Sequence, residues 1–213
     1  ALAGVSLVTA SSHGQGLSMN FAANTGATVQ FNGSSDSFNF NNGFDGYQWN
    51  VINETGGSSA VGLNASVSGG PFNYGPISIS GVGMYQIQYA TVLGPLGNLA
   101  MFDGSQNLTA QVNWIDLATY GAAFGDLNAS LEVNVSDIVY TGSNPDLQYL
   151  AANQPGSLDV SFQFSTPETL TQLSEGTGPY TTSFSGSISV VPEPSTLALV
   201  GLGTGMLLLR RRK

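Results

Sequence analysis

The side chains in this sequence that can take part in acid–base or ligand chemistry are few, and nearly all are acids. There are thirteen Asp and Glu, one His and no Cys, and the only four basic residues, Arg210, Arg211, Arg212 and Lys213, end the chain. Residues 1–209 therefore carry a formal −13 with no Lys or Arg to pair with it, and the terminal cations bring the whole chain to −9. A Ser-His-Asp relay would have to recruit His13, and no Gly-x-Ser-x-Gly turn is present to expose a serine. Thiol chemistry, Cys-ligated zinc and basic clamps for phosphoryl transfer lack their residues. Two acids across a cleft, about 5 to 9.5 Å apart, would suffice for a glycoside hydrolase. Without a motif to place such a pair, the sequence reads as a non-enzyme.

Binding chemistry has one focus. The segment 39–46, NFNNGFDG, is the richest in hard oxygen donors and turn formers, which is what a calcium loop requires. It does not follow the helix-loop-helix calcium pattern. Trp49 lies just beyond it and could offer an aromatic platform to a sugar ring. Asn41, Asp45 and Trp49 are therefore expected to share an exposed ligand surface, with calcium the one conceivable ion and no other cofactor implied. Trp114, in phase with Leu108, Ala110 and Val112, is expected in the core instead. A body this acidic repels phosphate backbones, so nucleic acid is not an expected partner, whereas cations and neutral polymers are.

The elements that must position these groups are strands. Val61, Leu63, Ala65 and Val67 alternate with polar or small residues, as do Tyr85, Ile87, Tyr89 and Thr91, then Leu108 to Trp114, Leu127 to Val135, Leu158 to Phe164 and Phe184 to Val190. Period two is the mark of a strand with one buried face. Shorter candidates lie at 17–21, 27–31, 38–40, 47–52 and 77–79. Gly-, Asn- and Ser-rich turns separate them, which gives about ten strands in one all-β domain. The expected architecture is an antiparallel β-sandwich, jelly-roll-like, in preference to a closed barrel. One short helix is expected where Asn144 caps a turn opened by Pro145.

The two ends read differently from this body at 11–190. Residues 1–10 are mostly small or apolar and finish Val8-Thr9-Ala10, as a partial signal peptide would before cleavage. Residues 197–209 are an uncharged run, LALVGLGTGMLLL, closed by Arg210, Arg211, Arg212 and Lys213. With a first turn opened at Pro194 and the arginine stems reaching to the headgroups, the run forms a single transmembrane helix, its cations held on the inner side.

The order Val191-Pro192-Glu193-Pro194, apolar run and arginine cluster resembles the PEP-CTERM sorting signal over residues 191–213. The body is similar, more diffusely, to uncharacterised β-rich cargo joined to such tails. The resemblance implies export by the secretion translocon, transient anchoring in the inner membrane, recognition of Pro192, Glu193 and Pro194 by an exosortase-type membrane enzyme, and delivery to the cell surface or an extracellular polysaccharide matrix. The expected function is thus an exported structural protein of the surface or biofilm matrix, engaging polysaccharide or other copies of itself. A calcium-assisted carbohydrate-binding module and a glycoside hydrolase are the alternatives.

Overall fold

A computed structural model describes residues 16–121, 129–166 and 168–190. The expected signal-peptide residues 1–10, His13, and the whole tail from Pro192 to Lys213 lie outside the described residues. Among those described, no helix is long and apolar enough to cross a membrane.

The described residues form fourteen antiparallel strands and two short α-helices, with two single turns of 3-10 helix. The strands are β1 (Leu17–Ala23), β2 (Thr28–Asn32), β3 (Ser37–Asn41), β4 (Trp49–Thr55), β5 (Asn64–Ser68), β6 (Phe72–Tyr74) and β7 (Ser78–Ser80). They continue with β8 (Ile87–Gly94), β9 (Gly97–Phe102), β10 (Asn107–Tyr120), β11 (Ala129–Val139), β12 (Gly156–Phe162), β13 (Tyr180–Thr182) and β14 (Phe184–Val190). Helix α1 (Pro145–Ala152) precedes β12, and α2 (Leu170–Glu175) precedes β13.

The expectation of an all-β antiparallel domain holds, but the layered sandwich is corrected to a closed barrel. Pairings run β10-β11-β12-β14-β1-β4-β5-β9 and return to β10, so the ring closes on itself. A second path leaves the same strand as β8-β6-β3-β2-β13. Strand β10 makes both possible. Over Asn107 to Val112 it pairs with β9, over Asp116 to Tyr120 with β8, and β11 runs along its other edge. The change of partner coincides with a register shift between Trp114 and Asp116. There the buried phase moves from Leu108, Ala110, Val112 and Trp114 to Leu117 and Thr119. A bulge adds one residue and extra twist to one strand, and so lets a single strand serve two sheets. Period two is identical in a sandwich and a barrel, which is why alternation alone could not separate them.

Alternate residues of the ring strands, among them Met19, Phe21, Val51, Met101, Val133 and Ile188, fill the interior. Aromatic residues of the side sheet close over one part of it: Phe38 meets Trp114 at 5.4 Å, Phe40 meets Phe184 at 5.0 Å and Phe31 meets Phe162 at 5.1 Å. Trp114 is buried, as its phase requires.

Helix α1 begins where the sequence places it: Asn144 accepts from the amides of Asp146 and Leu147, with Pro145 at the first position. Helix α2 is absent from the sequence reading although its signal was there. Thr169 and Gln172 form a reciprocal capping box, the Thr-x-x-Gln spacing that satisfies two orphan amides at once. Strands β6, β9 and β13 are further additions.

Two faces need correction. Tyr85, Ile87, Tyr89 and Thr91 were expected to point inward, yet the buried side of β8 carries Gln88, Ala90 and Val92. Gln88 is tolerated there because its Oε1 accepts from the amide and hydroxyl of Thr171 on α2. Val61 is exposed rather than buried, because β5 starts only at Asn64 and the preceding turn carries Gly62 at φ +88°.

Candidate functional site

The expected surface of Asn41, Asp45 and Trp49 does not assemble. Trp49 is only 2% exposed and stacks on Phe21 at 4.9 Å inside the ring. The cause is phase: Trp49 and Val51 share the inward face of β4. The side chain exposed beside it is Phe44, at 89%, which lies over Gly26. Asp45 caps its own turn, accepting from the Tyr47 amide at 3.1 Å and from Asn24 Nδ2 at 2.7 Å. Among the described residues no three His, Cys, Asp or Glu converge as metal ligands.

Asn41 belongs to a different arrangement. On the outward side of β2 and β3, Gln30 Nε2 donates to Asn32 Oδ1 at 2.8 Å, Asn32 Nδ2 to Asn39 Oδ1 at 3.1 Å and Asn39 Nδ2 to Asn41 Oδ1 at 2.9 Å. Asn41 Nδ2 then donates to Gln30 Oε1 at 3.1 Å and to Thr28 Oγ1 at 3.2 Å. The register Gln30 opposite Asn39 and Thr28 opposite Asn41 brings these amides together. The sequence signal was a polar residue at every second position of two neighbouring strands.

The coupled acids sit elsewhere, where α1 meets the turn after β4. Asp146 Oδ2 accepts from the Ser58 amide at 3.0 Å, the Ser59 amide at 2.5 Å and the Ser59 hydroxyl at 2.7 Å. Glu54 Oε2 accepts from the Ala60 amide at 2.9 Å. Burial pushes the Asp146 carboxyl up, but the Ser59 hydroxyl, the Ser59 and Ser58 amides and the Glu54 carboxyl outweigh it and hold the pKa below its ordinary 3.8. Glu54 is displaced oppositely: burial raises it above 4.5 against the Ala60 hydrogen bond, and the Asp146 hydrogen bond and charge raise it further.

The network continues through Asn144, whose Nδ2 donates to the Ser59 carbonyl at 2.8 Å, and Tyr140, whose hydroxyl accepts from the Asn144 amide at 2.9 Å and donates to Asp103. Asp103 is held below its usual range by the Gln106 amide first, then the Tyr140 hydroxyl and the Ser105 amide. This chain of hydrogen bonds ties the turn at 57–60 to α1.

The outward row of β8 is apolar but for Thr91. Tyr85 is 78% exposed and Leu93 72%, with Ile87, Tyr89 and, across the pairing from Ile87, Tyr120 between them.

No curated protein and no solved structure matches this chain significantly. Residues 190–213 match the PEP-CTERM protein-sorting motif. That tail begins at Val190, the residue with which the last ring strand ends. Residues 190–213 thus carry a PEP-CTERM sorting signal, which implies an exported protein that is anchored transiently in a membrane and processed by an exosortase.

Proposed function

We propose that the chain is a non-enzymatic structural protein of the cell surface or extracellular matrix, delivered there as a finished barrel once its tail has been removed. In this reading the secretion translocon passes the body outward, and residues 197–209 span the inner membrane as a helix. Arg210, Arg211, Arg212 and Lys213 hold the inner side, and the enzyme recognises Pro192, Glu193 and Pro194. Two prolines flanking one residue keep that segment extended and deny it helical hydrogen bonds, a form that a peptidase can grip.

One observation carries the reading: β14 ends where the sorting motif begins, so cleavage of the tail removes no strand of the ring. The hydrolase alternative gains nothing from Glu54 and Asp146. Their carboxyls are occupied by backbone amides and the Ser59 hydroxyl, whereas a glycosidase pair flanks the scissile bond. Fractionation of cells with and without the exosortase, using an antibody to the barrel, tests the proposal. The expected outcome is a shortened protein at the surface of normal cells and an uncleaved inner-membrane form when the enzyme is missing. Cytosolic protein with an intact tail in both strains would overturn it.

A further inference from the structure

We propose that the outward face of β2 and β3 is a binding surface for an uncharged, hydroxyl-rich polysaccharide. The inference deepens the matrix reading by naming a ligand class and a site, and it stands on geometry that export does not determine.

The argument is an inventory. Gln30, Asn32, Asn39 and Asn41 each carry two amide N–H donors and one oxygen with two lone pairs. The ladder uses both donors of Asn41 and one each of Gln30, Asn32 and Asn39, and one lone pair on each of the four oxygens. Donors and lone pairs are thus left on the same half-buried face, held in place because each amide is fixed by its neighbours. A sugar hydroxyl donates and accepts at once, so it can use both kinds of vacancy. An anion would find no positive charge here, and a cation would find neutral oxygens only.

Spacing favours an extended polymer over a single small molecule. Residues two apart on a strand are separated by about 6.7 Å, and neighbouring strands by about 4.8 Å, so the ladder is a regular lattice of polar groups. Thr181, paired with Gln30 on β13, extends it on one side. On the other, Asn39 also lines an open cleft with Asn42, Ser68, Gly69 and Gly70, where the chain beyond β5 lies against β3. A strand of sugar crossing the lattice can seat one residue in that cleft. Preorganisation removes much of the ordering cost that weakens polar recognition.

The test is affinity electrophoresis of the full chain in detergent through gels holding dextran, galactomannan or a soluble β-glucan, with alginate as the anionic comparison. Retardation by at least one neutral polymer and not by alginate is expected. The double variant Gln30→Val, Asn39→Val keeps β-compatible residues and removes two amides, and should weaken binding about tenfold or more. Tyr89→Ser on the apolar row should bind as the parent does. Should the double variant melt early, side-chain amide resonances of the unmodified protein provide the second measurement. Those of Gln30, Asn32, Asn39 and Asn41 should move on adding the retarding polymer. Retardation by alginate alone, by no polymer, or equally in the double variant, or amide signals that stay fixed, would overturn the proposal. Any of these would leave the export reading untouched, since fractionation alone decides that.

Discussion

Replacing Glu54 by Gln should stabilise the protein at neutral pH and leave it nearly unchanged in acid. In the parent, Glu54 can do two things: Oε2 accepts from the Ala60 amide, and the carboxyl, when protonated, can donate to Asp146, whose hydrogen bond and charge help to raise its pKa after burial. A glutamine keeps the first role through its oxygen and performs the second through its Nε2–H at every pH. What it abolishes is the ionised state, in which two carboxylates face each other with no Lys or Arg anywhere in residues 1–209 to offset them.

The sign follows from linkage. Glu54 has its folded pKa raised above 4.5, so its contribution is complete below that value and is lost as pH rises through the folded pKa. Asp146, lowered below 3.8, contributes above that value and loses it as pH falls. At about pH 4 the parent already holds the Glu54 proton, and Glu54→Gln exchanges one hydrogen bond for a similar one. At about pH 7.5 the variant regains a hydrogen bond to a charged acceptor, worth about 1 kcal/mol at a partly solvated site, or roughly 2–4 °C in melting temperature for a chain of this size. Thermal unfolding followed by circular dichroism at the two pH values measures the difference. A variant less stable than the parent at both, or a shift independent of pH, would show that the two carboxyls do not share a proton.

Other substitutions probe the barrel itself. A Cβ at Gly186 would lie 2.0 Å from the Asp159 carbonyl oxygen and 2.5 Å from Phe21; Gly186→Ala should cost at least about 2 kcal/mol by denaturant titration, because the neighbouring strand backbone has no room to yield. Trp49→Ala should cost about 3–5 kcal/mol, as a deleted core aromatic does, and an exposed-type cost below about 1 kcal/mol would contradict the inward phase of β4. On β8, Val92→Ser should destabilise by more than about 1.5 kcal/mol while Tyr89→Ser stays within about 0.5, a contrast that reverses if the buried face is the other one. A chain ending at Val190 should melt where the full chain does, whereas one ending at Ser183, without β14, should give no cooperative transition.

Much of the fold could be read from residues whose neighbours on the strand agree with them. Leu108, Ala110, Val112 and Trp114 alternate with Thr109, Gln111 and Asn113, and all four are buried. Asn144 followed by Pro145 announced α1. The errors fall where local pattern and tertiary partner disagree. In β8 both faces carry plausible strand residues, and the choice was made by α2, which supplies Thr171 to a buried Gln88 and leaves Tyr89 outside. Trp49 was judged by its proximity in sequence to an Asn- and Gly-rich loop, yet its place was set by the phase of β4 and by Phe21 on the neighbouring strand. The amide ladder needed the pairing of β2 with β3, which no single strand reveals. Gln48 shows the limit most sharply: its side chain donates to the Val67 carbonyl at 2.9 Å and accepts from the Val67 amide at 2.7 Å, acting as a rung of the sheet itself.

The connectivity also makes closure of the ring a long-range event. Strand β1 lies between β4 and β14, so the first and last strands of the body are direct neighbours. The ring cannot close until residues 184–190 have joined residues 17–23, which makes the decisive contacts the most distant in sequence. Long-range pairing of this kind forms slowly because loop closure precedes any gain. Closure pairs both β1 and β14 on each side, so the ring has no free edge, and an open edge among the described strands is left to β13 of the side sheet.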